Sequence, residues 1–259
     1  MAAGESCLVM GVLNVTPDSF SDGGRWFDPG AAVEHGRQLV AEGADIVDVG
    51  GESTRPGAEP VDEAEELRRV LPVIEELAPL VRVSIDTRKP AVAAAAVAAG
   101  ATIVNDVSGS PELADVAAST GAGWVAMHMR GDPRTMQDDP VYDDVVAEVR
   151  EYLVGRAEAA RGAGVGEIWI DPGIGFGKTI DHNLSLLRHL RTLVATGWPV
   201  AVGVSRKGFL GKLAGGAPVD DRFEGSLALA TWAIAEGAAL VRVHDVAPTV
   251  QALKLVSAA

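Results

Sequence analysis

Hydrophobic and polar positions follow one repeating rhythm along this chain. Short apolar runs, rich in Val, Ile and Leu, occupy residues 7–13, 46–49, 81–85, 102–104, 124–127, 168–170, 200–204 and 240–243. Each has the length of a buried strand and ends at a polar residue or a glycine. Between them lie stretches with helical character. Residues 31–42 place Val33, Leu39 and Val40 behind Asp28-Pro29, a cap followed by a proline at the first helical position, and stop at Gly43. Asp62 with Glu65 predicts a capping box that opens a helix running to about residue 78. Residues 90–99 are alanine-rich and closed by Gly100, and Ser110-Pro111 starts a short helix. Asp139-Pro140 opens the longest helix, to about residue 163. A further helix carries Leu184, Leu187, Leu190 and Leu193, and two more cover 223–235 and 248–256.

Strand-like runs alternating with helical ones predict parallel strands joined by right-handed crossovers. Eight such units in 259 residues predict an α/β protein with a single (β/α)8 barrel domain over residues 1–259. The alternative is an open doubly wound sheet. Against it, no glycine fingerprint of a dinucleotide-binding half follows the first run.

Charge narrows the ligand classes. A net charge of −14 argues against a nucleic-acid groove and against an anionic membrane surface, so any anion must find a local basic pocket. Cys7 is the single cysteine, which excludes an intrachain disulfide and a multi-thiolate metal site. It is expected as a buried strand residue rather than a nucleophile. No run approaches the roughly 20 apolar residues of a membrane helix. No signal-peptide pattern opens the chain, so the cytoplasm is the expected compartment.

In a barrel of this type the ligand site lies at the C-terminal mouth, built from strand ends. The residues there are Asn14, Gly50, Asp86, Asn105, His128, Asp171, Ser205 with Lys207, and His244 with Arg242 just before it. Each alone reads as a turn or cap residue; as a ring of polar groups they predict a site. Asp86, Asn105 and Asp171 suit the donor edge of an amidine-like or pterin-like heterocycle. Arg242 and His244, two apart, suit an anion such as phosphate. Asn14 suits a hard cation such as Mg²⁺. Arg206 and Lys207 add positive charge. Asp171 opens the glycine-rich stretch Asp171-Pro172-Gly173-Ile174-Gly175-Phe176-Gly177-Lys178-Thr179, whose spacing is one residue short of a phosphate-cradling GxxxxGK[ST] loop. His35, His182 and His189 fall in helical stretches and are expected at the surface.

These motifs are also those of a known family. The chain resembles dihydropteroate synthase from Gly11 to about Val246. The resemblance rests on Asn14-Val15-Thr16-Pro17-Asp18-Ser19-Phe20-Ser21-Asp22-Gly23-Gly24, Gly50-Gly51-Glu52-Ser53-Thr54-Arg55-Pro56-Gly57 and Ser84-Ile85-Asp86-Thr87. It continues through Asn105-Asp106-Val107-Ser108-Gly109, Met127-His128-Met129-Arg130-Gly131, the stretch from Asp171 to Thr179, Ser205-Arg206-Lys207 and Arg242-Val243-His244-Asp245. It implies a (β/α)8 barrel that joins 6-hydroxymethyl-7,8-dihydropterin diphosphate to 4-aminobenzoate and releases diphosphate. By position, Asp86, Asn105, Asp171 and Lys207 would hold the pterin, with Met127 and Phe176 near its ring. Asn14, Arg242 and His244 would hold the diphosphate, with Asn14 on Mg²⁺. Thr54, Pro56 and Lys207 would wall the aminobenzoate pocket, and Asp22 would shield the reacting carbon. A homodimer through barrel helices away from the mouth is implied too. Gly208 stands where relatives often carry a larger or polar residue, and is expected to loosen that loop or alter sulfonamide contacts.

Two rivals make different demands. A pterin-binding methyltransferase barrel would share Asp86, Asn105 and Asp171 but has no evident use for the Ser205-Arg206-Lys207 loop and the Arg242/His244 pair. A catalytically silent relative would be expected to carry degraded first and second loops, and here both motifs are intact.

Overall fold

A computed structural model describes residues 7–16, 29–53, 60–132 and 135–258. Its centre is a set of parallel strands: β1 Leu8–Asn14, β2 Ile46–Gly50, β3 Arg82–Asp86, β4 Ile103–Asp106, β5 Gly123–Met127, β6 Ile168–Asp171, β7 Ala201–Gly203 and β8 Leu240–Val243. They run β6-β5-β4-β3-β2-β1-β8-β7 around the sheet. The seam between β6 and β7 is closed by a parallel bridge, Ile170 to Val200, and by the Ile170 N–H donating to the Pro199 carbonyl at 2.9 Å. This is the expected (β/α)8 barrel.

The helices around it are α1 Pro29–Ala41, α2 Glu63–Leu77, α3 Pro90–Ala98, α4 Pro111–Thr120, α5 Val145–Gly162, α6 Ile180–Arg188, α7 Leu190–Val194, α8 Gly208–Leu213, α9 Phe223–Ala235 and α10 Val246–Ala258. Several depart from the sequence reading. α5 starts at Val145, not at Pro140, because Asp144 is the cap. Its carboxylate accepts the N–H groups of Val146 and Ala147, both at 3.0 Å, while Glu148 accepts those of Asp143 and Asp144. The leucine-spaced stretch breaks into α6 and α7 at His189, whose φ of −107° and ψ of 24° leave the helical region. The box expected at Asp62 is half made. Asp62 accepts the Glu65 N–H at 2.8 Å, but the Glu65 carboxylate turns to Arg68 and Arg69. A reciprocal box forms instead at Thr179 and His182. The short α8 was not legible, being too brief to show a period.

Side chains on a strand alternate between its two faces. The outward set, including Val9, Leu13, Val47, Val49, Val104 and Val202, packs under the helices. The inward set forms the barrel floor: Met10, Ile46, Ile103, Val125, Trp169, Ala201 and Leu240. Each large aliphatic side chain so buried contributes about 1.5–3 kcal/mol. One step further along the same strands, the inward positions turn polar: Asp48, Ser84, Asn105, Asp171 and Arg242. The floor is apolar and the mouth is polar because the composition changes along single strands, not between them. Cys7 is buried just before β1, and its thiol is pushed up to about 12, chiefly by burial and then by Asp45, so it is an inert core group. Among the described residues no helix is long and apolar enough to cross a membrane.

Candidate active site

The mouth of the barrel holds a small cavity. Asp86, Asn105, Met127, Asp171, Phe176, Lys207 and Arg242 all line it. The β7 position facing it is Gly203, where a Cβ would meet only ordinary contacts at 3.8 Å and beyond, so this strand leaves the lumen clear.

One charge cluster organises the wall. The Arg242 guanidinium donates from Nε to Asp48 Oδ2 at 2.6 Å and from Nη2 to Asp86 Oδ2 at 2.8 Å. Asn105 Nδ2 donates to the same Asp48 oxygen at 2.9 Å. Asp86 Oδ1 is buried and has no hydrogen-bond partner among the described residues. A buried acceptor is nearly always paired in a native protein; Asp48 Oδ1 and Ser84 Oγ share this state among the described residues, and of the three residues only Asp86 lines the cavity, where a ligand could supply the donor. Burial pushes the Asp86 carboxyl up to about 7, against the pull of Arg242 and with Asp48 and Glu66 adding to it. Burial also raises Asp171, opposed by the Gly173 N–H, which donates to its Oδ1 at 2.7 Å. The Lys207 ammonium sits 4.0 Å from the centre of the Phe176 ring. Burial, then Arg242, brings Lys207 down to about 8, with Asp171 and Asp86 opposing.

The loop that presents Phe176 is held rigidly. Gly173 and Gly177 have φ of 63° and 60°, and a Cβ at either would lie 1.9 or 2.2 Å from the carbonyl oxygen of His128 or Arg130. Only glycine allows this approach. The buried Lys178 Nζ then binds four acceptors at once: His128 Nδ1 at 3.0 Å and the carbonyls of His128, Gly173 and Phe176 at 3.2, 3.0 and 2.9 Å. Burial is the main reason Lys178 falls to about 7. Gln137 and Tyr142 donate to the carbonyls of Gly175 and Gly177.

The Ser205-Arg206-Lys207 turn is strained and supported. Arg206 has φ of 56°, a left-handed conformation that costs a bulky residue on the order of 1–3 kcal/mol. Its N–H donates to Ser226 Oγ at 2.9 Å, its guanidinium binds Asp245 at 2.8 Å, and its carbonyl accepts from Arg222 at 3.1 Å.

The pterin binding enzyme family matches residues 10–244. A dihydropteroate synthase of Mycobacterium leprae is 52% identical over 262 residues, covering 96% of this chain and 92% of the relative. The chain belongs to the dihydropteroate synthases. The solved dihydropteroate synthase of Xanthomonas albilineans with 4-aminobenzoic acid superposes with a TM-score of 0.91 at 50% identity, covering 98% of this chain and 93% of that one. That of Thermus thermophilus in complex with 6HMPPP gives a TM-score of 0.85 at 44% identity, covering 98% and 94%.

The residues that the family resemblance assigns to the pterin do meet in one cavity, and Arg242 joins them there. Asn14 and His244 are not among its lining residues. They stand at the ends of the paired strands β1 and β8, on the rim, where the His244 N–H donates to Ser205 Oγ at 3.2 Å. Asp22, Thr54 and Pro56 lie outside the described residues. Two expectations need correction. His128 leaves the ring, because Val125 and Met127 point inward on β5 and the next position points outward. Its ring is buried edge-on to Tyr152 at 5.0 Å, and burial, then Lys178, lowers it to about 3. Arg206 is committed to Asp245 rather than added to the site's charge. Gly208 opens α8, and a Cβ there would meet nothing within 4 Å among the described residues, so the turn itself leaves room for a larger residue. Sequence reading missed Asp48 as a site residue, although its charge inside an apolar strand was the available signal. It missed Lys178 because its burial depends on His128, fifty residues away, and on turn carbonyls whose direction no sequence pattern gives.

Proposed function

We propose that the lumenal cavity takes the pterin ring of 6-hydroxymethyl-7,8-dihydropterin diphosphate and that 4-aminobenzoate replaces the diphosphate at the exocyclic methylene, giving 7,8-dihydropteroate. The observation that carries this is the buried, unpartnered Asp86 Oδ1 in a wall shared with Asn105 and Asp171, an acceptor surface for a heterocycle rich in N–H donors. Lys207 faces the opposite polarity of the ring and stacks on Phe176, next to which the pterin would lie.

The substitution is dissociative in this reading. The methylene–oxygen bond breaks first, and its electron pair leaves with diphosphate. Carboxylates at Asp86 and Asp171 favour positive charge on the pterin. Arg242, with Nη1 unengaged among the described residues, and His244 on the rim favour the leaving anion. The arylamine nitrogen then attacks the methylene and loses a proton, needing no strong base. Thr54, Pro56 and Lys207 would wall the aminobenzoate site, and Asp22 would shield the cation. Among the described residues no group of acidic or histidine side chains could hold a metal by itself. The oxygen of Asn14 suits a hard cation that shares its coordination with substrate phosphate. When bound, Mg²⁺ would supply neutralisation of the diphosphate charge. The chain is proposed to act as one catalytic domain in the cytoplasm, with small-molecule substrates and no nucleic-acid or membrane partner. It is proposed to form a homodimer. Trp232 and Leu255, 49% and 70% exposed on the neighbouring helices α9 and α10, support that reading, and sedimentation at twice the chain mass tests it.

Incubation with dihydropterin diphosphate, Mg²⁺ and 4-aminobenzoate tests the activity. Dihydropteroate should form, and a sulfonamide should suppress it. Lys207→Ala and Asp86→Ala should each lower kcat/KM at least about tenfold, roughly 1.4 kcal/mol of transition-state stabilisation. Near-full activity in both variants contradicts the assignment.

A further inference from the structure

Asp48 stands apart from the residues that line the cavity. It is the inward residue at the middle of β2, between Val12 of β1 and Ser84 of β3 in register, and it is 0% exposed. It does not touch the space a ligand would fill, yet its Oδ2 receives both Asn105 Nδ2 and Arg242 Nε. We infer that Asp48 is a positioning residue that sets the hydrogen-bonding polarity of the pterin wall. The inference rests on the proposed pterin reading of this cavity and concerns which edge of the ring is accepted.

An ionised carboxylate accepts hydrogen bonds and donates none. An Asn side chain carries an oxygen and a nitrogen of nearly equal shape, and its orientation follows from its partners. Beside Asp48 the Asn105 nitrogen must face the carboxylate. The reverse orientation would press two acceptors together in a buried place. Oδ1 of Asn105 is therefore left toward the cavity that Asn105 lines. The same Asp48 oxygen and Asp86 Oδ2 consume two donors of Arg242 and fix the guanidinium plane. Asp86 keeps its Oδ1 for the ligand. The wall then offers acceptors from Asp86, Asn105 and Asp171, and donors from Lys207 and Arg242. Without Asp48, Asn105 could present either end.

This differs from simple charge neutralisation of Arg242. In Asp48→Asn the amide oxygen can take the place of Oδ2, accept from both Arg242 and Asn105, and leave Asn105 as it is. In Asp48→Leu no acceptor remains, and Asn105 is free to turn its nitrogen toward the ligand. Lost charge alone would weaken all ligands alike; a turned amide changes which ligand is preferred.

The test is calorimetric titration with 6-hydroxymethylpterin and with the analogue whose exocyclic 2-amine is replaced by a carbonyl. The unaltered protein should prefer the amine at least about tenfold, as sites built on buried hydrogen bonds do. Asp48→Leu should bind the amine at least about tenfold more weakly and narrow the preference to below about threefold. Asp48→Asn removes the charge but keeps one oxygen for both donors, and should hold the original preference to within about threefold. It also serves if Asp48→Leu does not fold, a point circular dichroism settles. Unchanged preference in folded Asp48→Leu, equal weakening of both ligands by it, or loss of the preference in Asp48→Asn would overturn the inference and leave the pterin assignment standing. Failure of the unaltered protein to bind either ligand would overturn both.

Discussion

At Lys207 two demands meet. In its proposed role Lys207 donates most strongly to a pterin carbonyl when charged, yet burial and Arg242 bring it down to about 8. The sign follows directly: the protonated form dominates below this value and is lost as pH rises through it. The kcat/KM for dihydropterin diphosphate should therefore fall above about pH 8, and Lys207→Arg should carry the falling limb to higher pH. A rate that stays level from pH 7 to about 10 in the unaltered protein would contradict the assigned role. Single residues were legible where chemistry is local. Asp86, Asn105, Asp171 and Lys207 could be read because strand ends collect at one mouth. His128 could not, since whether a strand-end residue points in or out depends on parity, and one residue of uncertainty in a strand boundary reverses it. Asp48 was visible only as an oddity, a charge within an apolar strand, until its hydrogen bonds from Arg242 and Asn105 gave it a place in the wall.

The element that matters most is the turn between β6 and α6. Its glycines fold it against the carbonyls of His128 and Arg130, and Lys178 ties His128, through its ring nitrogen and its carbonyl, to the turn's own Gly173 and Phe176 carbonyls. Lys178→Met would leave several buried acceptors unpaired at a cost of about 1–3 kcal/mol each. Its unfolding free energy should drop by about 3 kcal/mol. The pH dependence gives an independent sign. The folded value of about 7 lies below the ordinary 10.5, so between these the unfolded chain binds more protons. The contribution of Lys178 to stability is thus full above about pH 10.5 and declines as pH falls through 7. The stability gap between the unaltered protein and Lys178→Met should widen as pH rises across that window, as denaturant melts at several pH values would show. A constant gap would mean the amine is not held as described. Element existence was legible from periodicity, because eight strand–helix units repeat. Helix starts were less so: Asp139-Pro140 offers the same cap chemistry as Asp144, and the choice between them is made by Glu148 binding the preceding N–H groups.

For the molecule as a whole, the barrel reconciles an acidic protein with an anionic substrate. The net charge is −14, yet Arg242 and Lys207 converge at one cavity and His244 stands on its rim. Closure of the sheet is what brings β3, β4, β6, β7 and β8 to the same mouth. No stretch of sequence encodes that convergence locally; it follows from the alternation of strands and helices and from the inward parity of each strand. In the proposed complex the pterin lies in this lumen with its donor edge on Asp86, Asn105 and Asp171. A crystal structure with dihydropterin diphosphate bound would test it most directly. The ring should lie beside Phe176 with its N–H groups on those three residues and the diphosphate toward Asn14 and His244. A pterin bound elsewhere, or reversed so that diphosphate points to the barrel floor, would contradict it.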